Sequence, residues 1–346
     1  MAVPETQKAL LVKEIGKPLV LVTDWPIPQP GPNQVQIKIT VAGINPHDQR
    51  SRDLGIPIAN DLPAVLTHDV VGKVTKLGEY VTGLTIGDRI VTMASLNPGS
   101  RQNGLQEYAV ADIKMLAKIP ESISDNEAAT LPVNTIAPLA GLFGKLKLPA
   151  PWSSDIPKSQ RDSTTVLIVG GGSSCGKFAV QLLRLARIGQ IIVVGGDQAE
   201  LEGLGATHVV DRHGSQDEVL GRIRALVGDE LVYALDVINP PEGQFLAVNA
   251  LSSYKKGSLA RLLLGPFDES RVQGKKAGFE VINVYSAIGE EGVCEAFWAH
   301  LHEYLSTGDF KPLGYTVKNG LSAEIVNEVL DAYRDGKKVT KTHLLF

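Results

Sequence analysis

The sequence predicts an α/β protein of two domains, one β-rich and one doubly wound around a parallel sheet. Three observations predict it. Residues 164–196 spell strand, tight glycine turn, helix and strand in succession. Residues 1–130 carry short β-branched runs separated by glycine turns. Beyond residue 200, short apolar runs and helical periods keep alternating up to residue 284.

The elements follow in order. Val35–Val41 (VQIKITV) leaves a proline-rich entry, Trp25 to Pro32, and reads as a strand; 70–77, 89–93 and 105–110 are further short strands. Strands at this spacing suggest a compact barrel-like domain. Residues 124–144 turn helical, with Ser124 and Glu127 as a capping box and with Pro132 and Pro138 as breaks or kinks. Residues 148–162 read as a surface loop. Val166–Val169 is a buried strand, Phe178, Leu182, Leu185 and Ala186 share a helix face, and Ile191–Val194 is the next strand. Then come a short helix at 201–204, a strand at 207–210, a helix at 217–227, a strand at 231–238 and a last sheet strand at 279–284. The tail adds a helix from 293, a strand near 314–318, a helix from 322 and a strand at 341–345, and is expected to rejoin the first domain.

Composition narrows the function. Net charge is −4, from 34 basic and 38 acidic residues, with no long basic run, so nucleic acid is not an expected partner. Two cysteines, Cys175 and Cys294, allow neither a disulfide framework nor a four-cysteine zinc site. No apolar run reaches the roughly 20 residues that span a bilayer. The expectation is a cytoplasmic protein without a membrane partner.

The glycine turn points to a ligand. Gly171-Gly172-Ser173-Ser174-Cys175-Gly176 fits the G-x-G-x-x-G pattern except that Ser173 holds the middle glycine's place. Between a strand and a helix, that pattern lets backbone N–H groups approach a pyrophosphate at a helix N-terminus. The alternative is an ordinary tight turn.

Short segments in fixed order carry a family resemblance. Ala42 to Asp48 (AGINPHD), Leu66 to Val74 (LTHDVVGKV), Gly87-Asp88-Arg89 with Val91, and Leu204 to Asp211 (LGATHVVD) resemble the medium-chain dehydrogenase/reductase superfamily. Within it the chain is most similar to the zinc-independent quinone oxidoreductase and enoyl reductase branch, including fungal zinc-type alcohol dehydrogenase-like proteins and trans-acting enoyl reductases. The resemblance implies a GroES-like catalytic domain over 1–130, a Rossmann NADP-binding domain over 131–288, and a C-terminal return over 289–346.

The resemblance also assigns residues. Zinc alcohol dehydrogenases use a cysteine in the first turn, where Asn45 stands here, and a histidine where His68 stands; no cysteine or histidine supplies the third position between Leu139 and Val166. No metal is therefore expected. His68 reads as a core or supporting histidine, with a polar group beside the nicotinamide as the alternative. NADPH is the expected cofactor, held by Gly171, Gly172, Ser173, Ser174, Cys175, Gly176 and Gly196. Arg184 and Arg334 would receive the 2′-phosphate, and Tyr285 would lie near the nicotinamide amide. Asp197, after the second strand, argues mildly for NADH. Asn45, His47 and Arg50 are the catalytic candidates: Asn45 as a contact, His47 as a proton donor near neutral pH, Arg50 as an oxyanion holder. Asp48 is expected to brace the turn. The tyrosine donor of mitochondrial-type enoyl reductases is missing from Arg52 to Ile56, and Ala137 replaces a threonine of relatives.

The function implied is an NADPH-dependent, zinc-independent reduction of a conjugated C=C bond, with secondary metabolism as its setting. A quinone or aldehyde reductase, and a non-redox protein that keeps the cofactor fold, are the alternatives. The expected partner is a small-molecule substrate, carrier-bound in one version, and relatives suggest a homodimer. Pocket walls are expected at 55–62, 95–101 and 251–267.

Overall fold

The computed structural model describes residues 5–95, 99–153 and 156–346. Part of the 95–101 loop lies outside them. The chain divides into two compact units, one formed by Met1–Val133 with Phe297–Phe346 and the other by Asn134–Ala296.

In chain order the first stretch holds β1 (Thr6–Val12), β2 (Val20–Pro26), β3 (Gln34–Ile44), α1 (Pro46–Leu54), β4 (Ala64–Val65), β5 (Asp69–Leu77), β6 (Arg89–Met93), β7 (Tyr108–Asp112), β8 (Leu116–Lys118) and α2 (Asp125–Ala128). The middle holds α3 (Pro132–Leu139), α4 (Lys158–Ser163), β9 (Thr165–Val169), α5 (Ser174–Leu185), β10 (Gln190–Val194), α6 (Gln198–Leu204), β11 (His208–Val210), α7 (Gln216–Val227), β12 (Tyr233–Asp236), α8 (Phe245–Ala250), β13 (Gly257–Arg261) and β14 (Phe279–Asn283). The tail holds α9 (Glu291–Thr307), β15 (Thr316–Asn319), α10 (Ala323–Arg334) and β16 (Thr342–Leu345).

In the first unit, one sheet runs β15-β16-β3-β5-β6-β8, with β7 also on β3, and a small sheet runs β2-β1-β4. Val35, Ile37 and Ile39 of β3 face inward against Val70, Val74 and Ile90, while Lys38 between them faces water. Only 37–40 alternates in this way; Gln36 and Val41–Ile44 are buried as well, so β3 is covered on both faces along most of its length. The tail returns to this unit because β16 pairs antiparallel with β3, from Thr342 opposite Ile44 to Leu345 opposite Val41.

The second unit is a six-stranded parallel sheet in the order β11-β10-β9-β12-β13-β14. Val166–Val169 is buried from end to end, as expected where helices cover both faces. The order reverses between β9 and β12, so ligands belong beyond the carboxyl ends of those strands. Among the described residues no helix is long and apolar enough to cross a membrane.

Some elements differ from expectation. β1 and β2 lie in the β-rich region ahead of Val35, where the sequence reading assigns no strand; β2 is mostly exposed and lacks an alternating pattern. The 105–110 strand starts later, at Tyr108, because Leu105 and Gln106 pair instead with Leu10 and Ala9. β13, Gly257–Arg261, lies within 251–267, read as a pocket loop. The 148–162 loop contains α4 and is pinned by buried Arg161, whose guanidinium donates to the carbonyls of Ala150, Ser153 and Ala186. Pro132 opens α3 rather than breaking a helix, as suits a residue without an N–H.

Candidate active site

Two groups of side chains stand out, one in each unit. In the first unit the site grows from the junction of β3 and α1. Asn45 is extended and sits just before Pro46, which opens α1. The Asn45 N–H donates to Asp48 Oδ2 at 2.8 Å, and the Thr67 N–H donates to Asp48 Oδ1 at 3.0 Å. Asp48 thus braces the turn and fastens it to the segment before β5. Burial pushes the Asp48 carboxyl up to about 6, against the pull of His68, the two N–H donors and Lys341.

Behind the turn lies a buried network that the sequence did not suggest. The Lys341 ammonium donates to Asp69 and, at 2.8 Å, to Asn45 Oδ1. Asn45 Nδ2 donates to Asp69 Oδ2 at 2.7 Å, and the Val133 N–H donates to Asp69 Oδ1 at 2.7 Å. Lys341 reaches in across Gly43, where an added Cβ would stand 3.0 Å from both its Cε and its Nζ. Burial, the largest single influence, pushes the Asp69 carboxyl up, but the Lys341 charge and the hydrogen bonds from Lys341, the Val133 N–H and Asn45 together hold the group below the usual range. Asn45 is therefore a bonded member of a buried network, and its side-chain oxygen is already taken.

His47 and His68 form the second feature. His47 Nε2 lies 2.8 Å from His68 Nδ1, with ring centroids 4.8 Å apart at 62°. His47 Nε2 is also 3.4 Å from Asp48 Oδ1. His47 keeps 33% of its side chain exposed, whereas His68 is 6% exposed. Burial lowers both imidazoles to about 4, each adding to or opposed by its charged neighbours, so both are neutral at pH 7. Thr67, next to His68, has φ +67° and a buried hydroxyl with no partner. A β-branched residue in the left-handed region is strained. Arg50 lies one turn beyond His47 on α1 and is exposed.

Ligand atoms of His47, Asp48 and His68 come within 4.8 Å of one another, the spacing of a metal site. The donor set fits a metal poorly. Both Asp48 oxygens accept backbone N–H groups, and the two imidazoles point at each other at hydrogen-bond distance. The position of a first-turn thiolate belongs to Asn45, tied to an ammonium.

In the second unit the glycine turn fits a dinucleotide. An added Cβ at Gly171 would stand 2.4 Å from the Gly195 carbonyl, and one at Gly176 would stand 2.3 Å from the Gly170 carbonyl, so strand, turn and helix pack backbone to backbone. Gly172, by contrast, is exposed and its Cβ direction meets nothing closer than 3.5 Å, leaving the outer face of the turn bare. Ser173 does not spoil the turn. It has ordinary extended backbone, and its hydroxyl donates to the Gly170 carbonyl at 2.8 Å and accepts from the Gly176 N–H at 3.1 Å, capping α5. Ser174 and Cys175 form the first turn of α5, and the Cys175 thiol points at Asn134 Oδ1, 3.7 Å away. Gly196 faces the turn from the end of β10, its own Cβ direction 2.9 Å from the Gly172 nitrogen.

The structure does not gather every expected cofactor residue here. Arg184 lies in the last turn of α5, its stem against Gly205 at the end of α6. That is the amino-terminal edge of the strands, opposite the glycine turn. Arg334 lies in the other unit, on α10, paired with Asp331 at 2.9 Å and Asp335 at 3.0 Å. Asp197 caps α6 by accepting the Glu200 N–H at 2.8 Å, so its carboxylate already has work at the helix end. Tyr285 follows β14, 51% exposed, its hydroxyl 3.4 Å from Asn283 Nδ2. A residue missed in the sequence is Arg212. Its stem crosses Gly195 at the end of β10, with Cδ 2.9 Å from that glycine's Cβ direction, and it is exposed.

Comparison with known proteins agrees with this layout. Residues 31–121 match the Alcohol dehydrogenase GroES-like domain family. The trans-enoyl reductase traG of Penicillium crustosum is 30% identical over 255 residues, covering 72% of this chain and 68% of that protein. The trans-enoyl reductase tazE of Aspergillus terreus is 32% identical over 232 residues, covering 65% of this chain and 74% of that protein. Among solved structures, mycobacterial Rv1454c complexed with NADPH superimposes with TM-score 0.72 at 22% identity, covering 98% of this chain and 100% of that one. The chain thus belongs to the medium-chain dehydrogenase/reductase superfamily of oxidoreductases, as a relative of the fungal trans-enoyl reductases.

Proposed function

We propose that this chain is a zinc-independent, NADPH-dependent reductase of conjugated C=C bonds, acting on an enone or enoyl substrate of secondary metabolism. The observation that carries the zinc-independent reading is the Asn45–Asp69–Lys341 network: a buried ammonium satisfies the side chains around the first turn, where zinc-dependent relatives place a ligand. The names of the fungal relatives support an enoyl substrate. The bare turn at Gly172 supports a nicotinamide dinucleotide, as does the NADPH named with mycobacterial Rv1454c. Arg212 beside Gly195 supports NADPH over NADH, because a guanidinium suits a phosphate bidentately and Asp197 is engaged as a helix cap. A carrier-bound acceptor, a homodimer and a cytoplasmic location belong to the same proposal.

When bound, a reduced nicotinamide supplies a hydride to the electron-poor carbon. The chain must then supply binding, orientation and a proton. The helix end at Ser174 and Cys175 and the exposed face of Gly172 hold phosphate oxygens. Arg50, exposed one turn beyond His47, offers a fixed positive charge for a developing oxyanion. The imidazoles of His47, on α1, and His68, just before β5, are paired at 2.8 Å and can carry a proton.

The test is cofactor oxidation against enones, 2-enals, enoyl thioesters, quinones and saturated aldehydes, with and without a chelator. The expected result is NADPH oxidation with an enone or enoyl thioester, unchanged by chelator. Chelator-sensitive alcohol oxidation would overturn the proposal, and turnover with quinones alone would replace the substrate class.

A further inference from the structure

The proposed reduction needs a proton for each turnover, and the sequence offers no tyrosine donor in the expected place. We propose that His47 and His68 form a two-imidazole proton relay, His47 loading from solvent and His68 delivering to the substrate. This rests on the reductase reading above.

The geometry gives each ring a different task. His47 is the open end: one third of its side chain meets solvent, and its Nε2 points at His68 Nδ1, 2.8 Å away. His68 is the inner end. Its Nδ1 is engaged by His47; its Nε2 has no hydrogen-bond partner among the described residues, yet it is not among the polar atoms sealed from solvent. His68 also lines a narrow cleft of about 20 Å³, room for a single water, with Ser51, Ile58, Ser95 and Asn103. The free ring nitrogen therefore belongs to the ring that lines a cleft, and the solvated ring stands behind it.

The protons balance. His68 Nε2 gives its proton to the carbon next to the activating carbonyl. His68 Nδ1 takes the Nε2 proton of His47, and His47 Nδ1 takes one from water. Each ring starts and ends neutral with its tautomer exchanged, and the reverse transfer resets both once product has left: water protonates His68 Nε2, His68 Nδ1 returns its proton to His47 Nε2, and His47 Nδ1 gives one to water. Asp48 Oδ1, 3.4 Å from His47 Nε2, steadies the positive charge that builds while the proton crosses. Bonds from two backbone N–H groups hold Asp48, and with it His47, in this register.

The experiment compares wild type with His47→Ala, His68→Ala and His68→Gln, each checked for folding by thermal melting and for NADPH binding by fluorescence. Positioned acid catalysis is worth about 10²–10⁴-fold. All three variants are expected to lose at least about 100-fold in kcat, with KM changed little. Added imidazole should restore His47→Ala, whose vacated site opens to water, and leave His68→Ala unrestored. In ¹⁵N-histidine-labelled wild type, a scalar coupling across the Nε2–H···Nδ1 bond is expected even without substrate. Wild-type kcat in either alanine variant, failure of imidazole to restore His47→Ala, or absence of the coupling would overturn the relay. A wild type that turns over no acceptor would remove the reductase reading and the relay together, so the two failures are distinct.

Discussion

Replacing Lys341 with methionine tests the buried network at the first turn. The substitution keeps an unbranched chain one atom shorter and removes the ammonium that bonds Asp69 and Asn45. Asp69 is fully buried and would keep two neutral donors, Asn45 Nδ2 and the Val133 N–H, with no opposite charge. Removing one partner of a buried ion pair costs about 3–5 kcal/mol, because the other charge stays behind. The first unit has roughly 180 residues, and unfolding entropy is about 2.1 cal/mol/K per residue, so Tm should fall by about 8–13 °C at pH 7. The pH dependence has a definite sign. In wild type Asp69 sits below its usual range, so its contribution holds above the unfolded value and fades as pH falls below it. Without Lys341, burial raises the Asp69 carboxyl, so the deficit is greatest at neutral pH and shrinks as acid protonates that group. The double variant Asp69→Asn/Lys341→Met should recover much of the loss. Calorimetry from pH 4.5 to 8 reads all three. A Lys341→Met protein melting within 2 °C of wild type at pH 7 would refute the reasoning.

Three further outcomes are expected. Thr67→Gly removes a left-handed β-branched residue and an orphan hydroxyl; relief of about 1–2 kcal/mol, less the roughly 0.5–1 kcal/mol entropy cost of glycine, should raise the urea midpoint at unchanged m. Acidification from pH 6.5 to 4.5 should destabilise the protein. Burial lowers His47 and His68 to about 4 and His343 to about 3, so the unfolded chain takes those protons first, losing up to about 1.4 kcal/mol per pH unit per group, while Asp48, raised to about 6, offsets roughly one of them. A Tm that climbs over that range contradicts this. Arg212→Gln should weaken NADPH about 10–100-fold by isothermal titration and leave NADH nearly unchanged, the size of a lost charge-assisted pair.

What the sequence revealed is what is local. Val166–Val169, the glycine turn and α5 are contiguous, so strand period, glycine and helix period could be read within one window. Asp48 as a brace was legible for the same reason, since its partner Asn45 is three residues away. The buried network was not, because Lys341 meets Asn45 and Asp69 only after nearly three hundred residues of intervening chain. His47 and His68 were each noticed alone, but their pairing depends on how α1 and β5 are set by Asp48. β13 was hidden by its charge: Lys255, Lys256 and Arg261 made it look like a basic loop, whereas Arg261 is buried with its guanidinium on Gln244 and Asn283. Arg184 and Arg334 rested on the resemblance alone: Arg184 lies in the last turn of α5, at the far end from the glycine turn, and Arg334 belongs to the other unit.

The most direct measurement follows the label from NADPH deuterated at C4 into the product of an enone or enoyl thioester in ordinary water. Deuterium at the carbon β to the carbonyl, with protium at the α carbon and no effect of chelator, is the expected result. Deuterium on a carbinol carbon, or no transfer to any acceptor while the protein still binds NADPH, would contradict a zinc-independent reduction of a conjugated C=C bond.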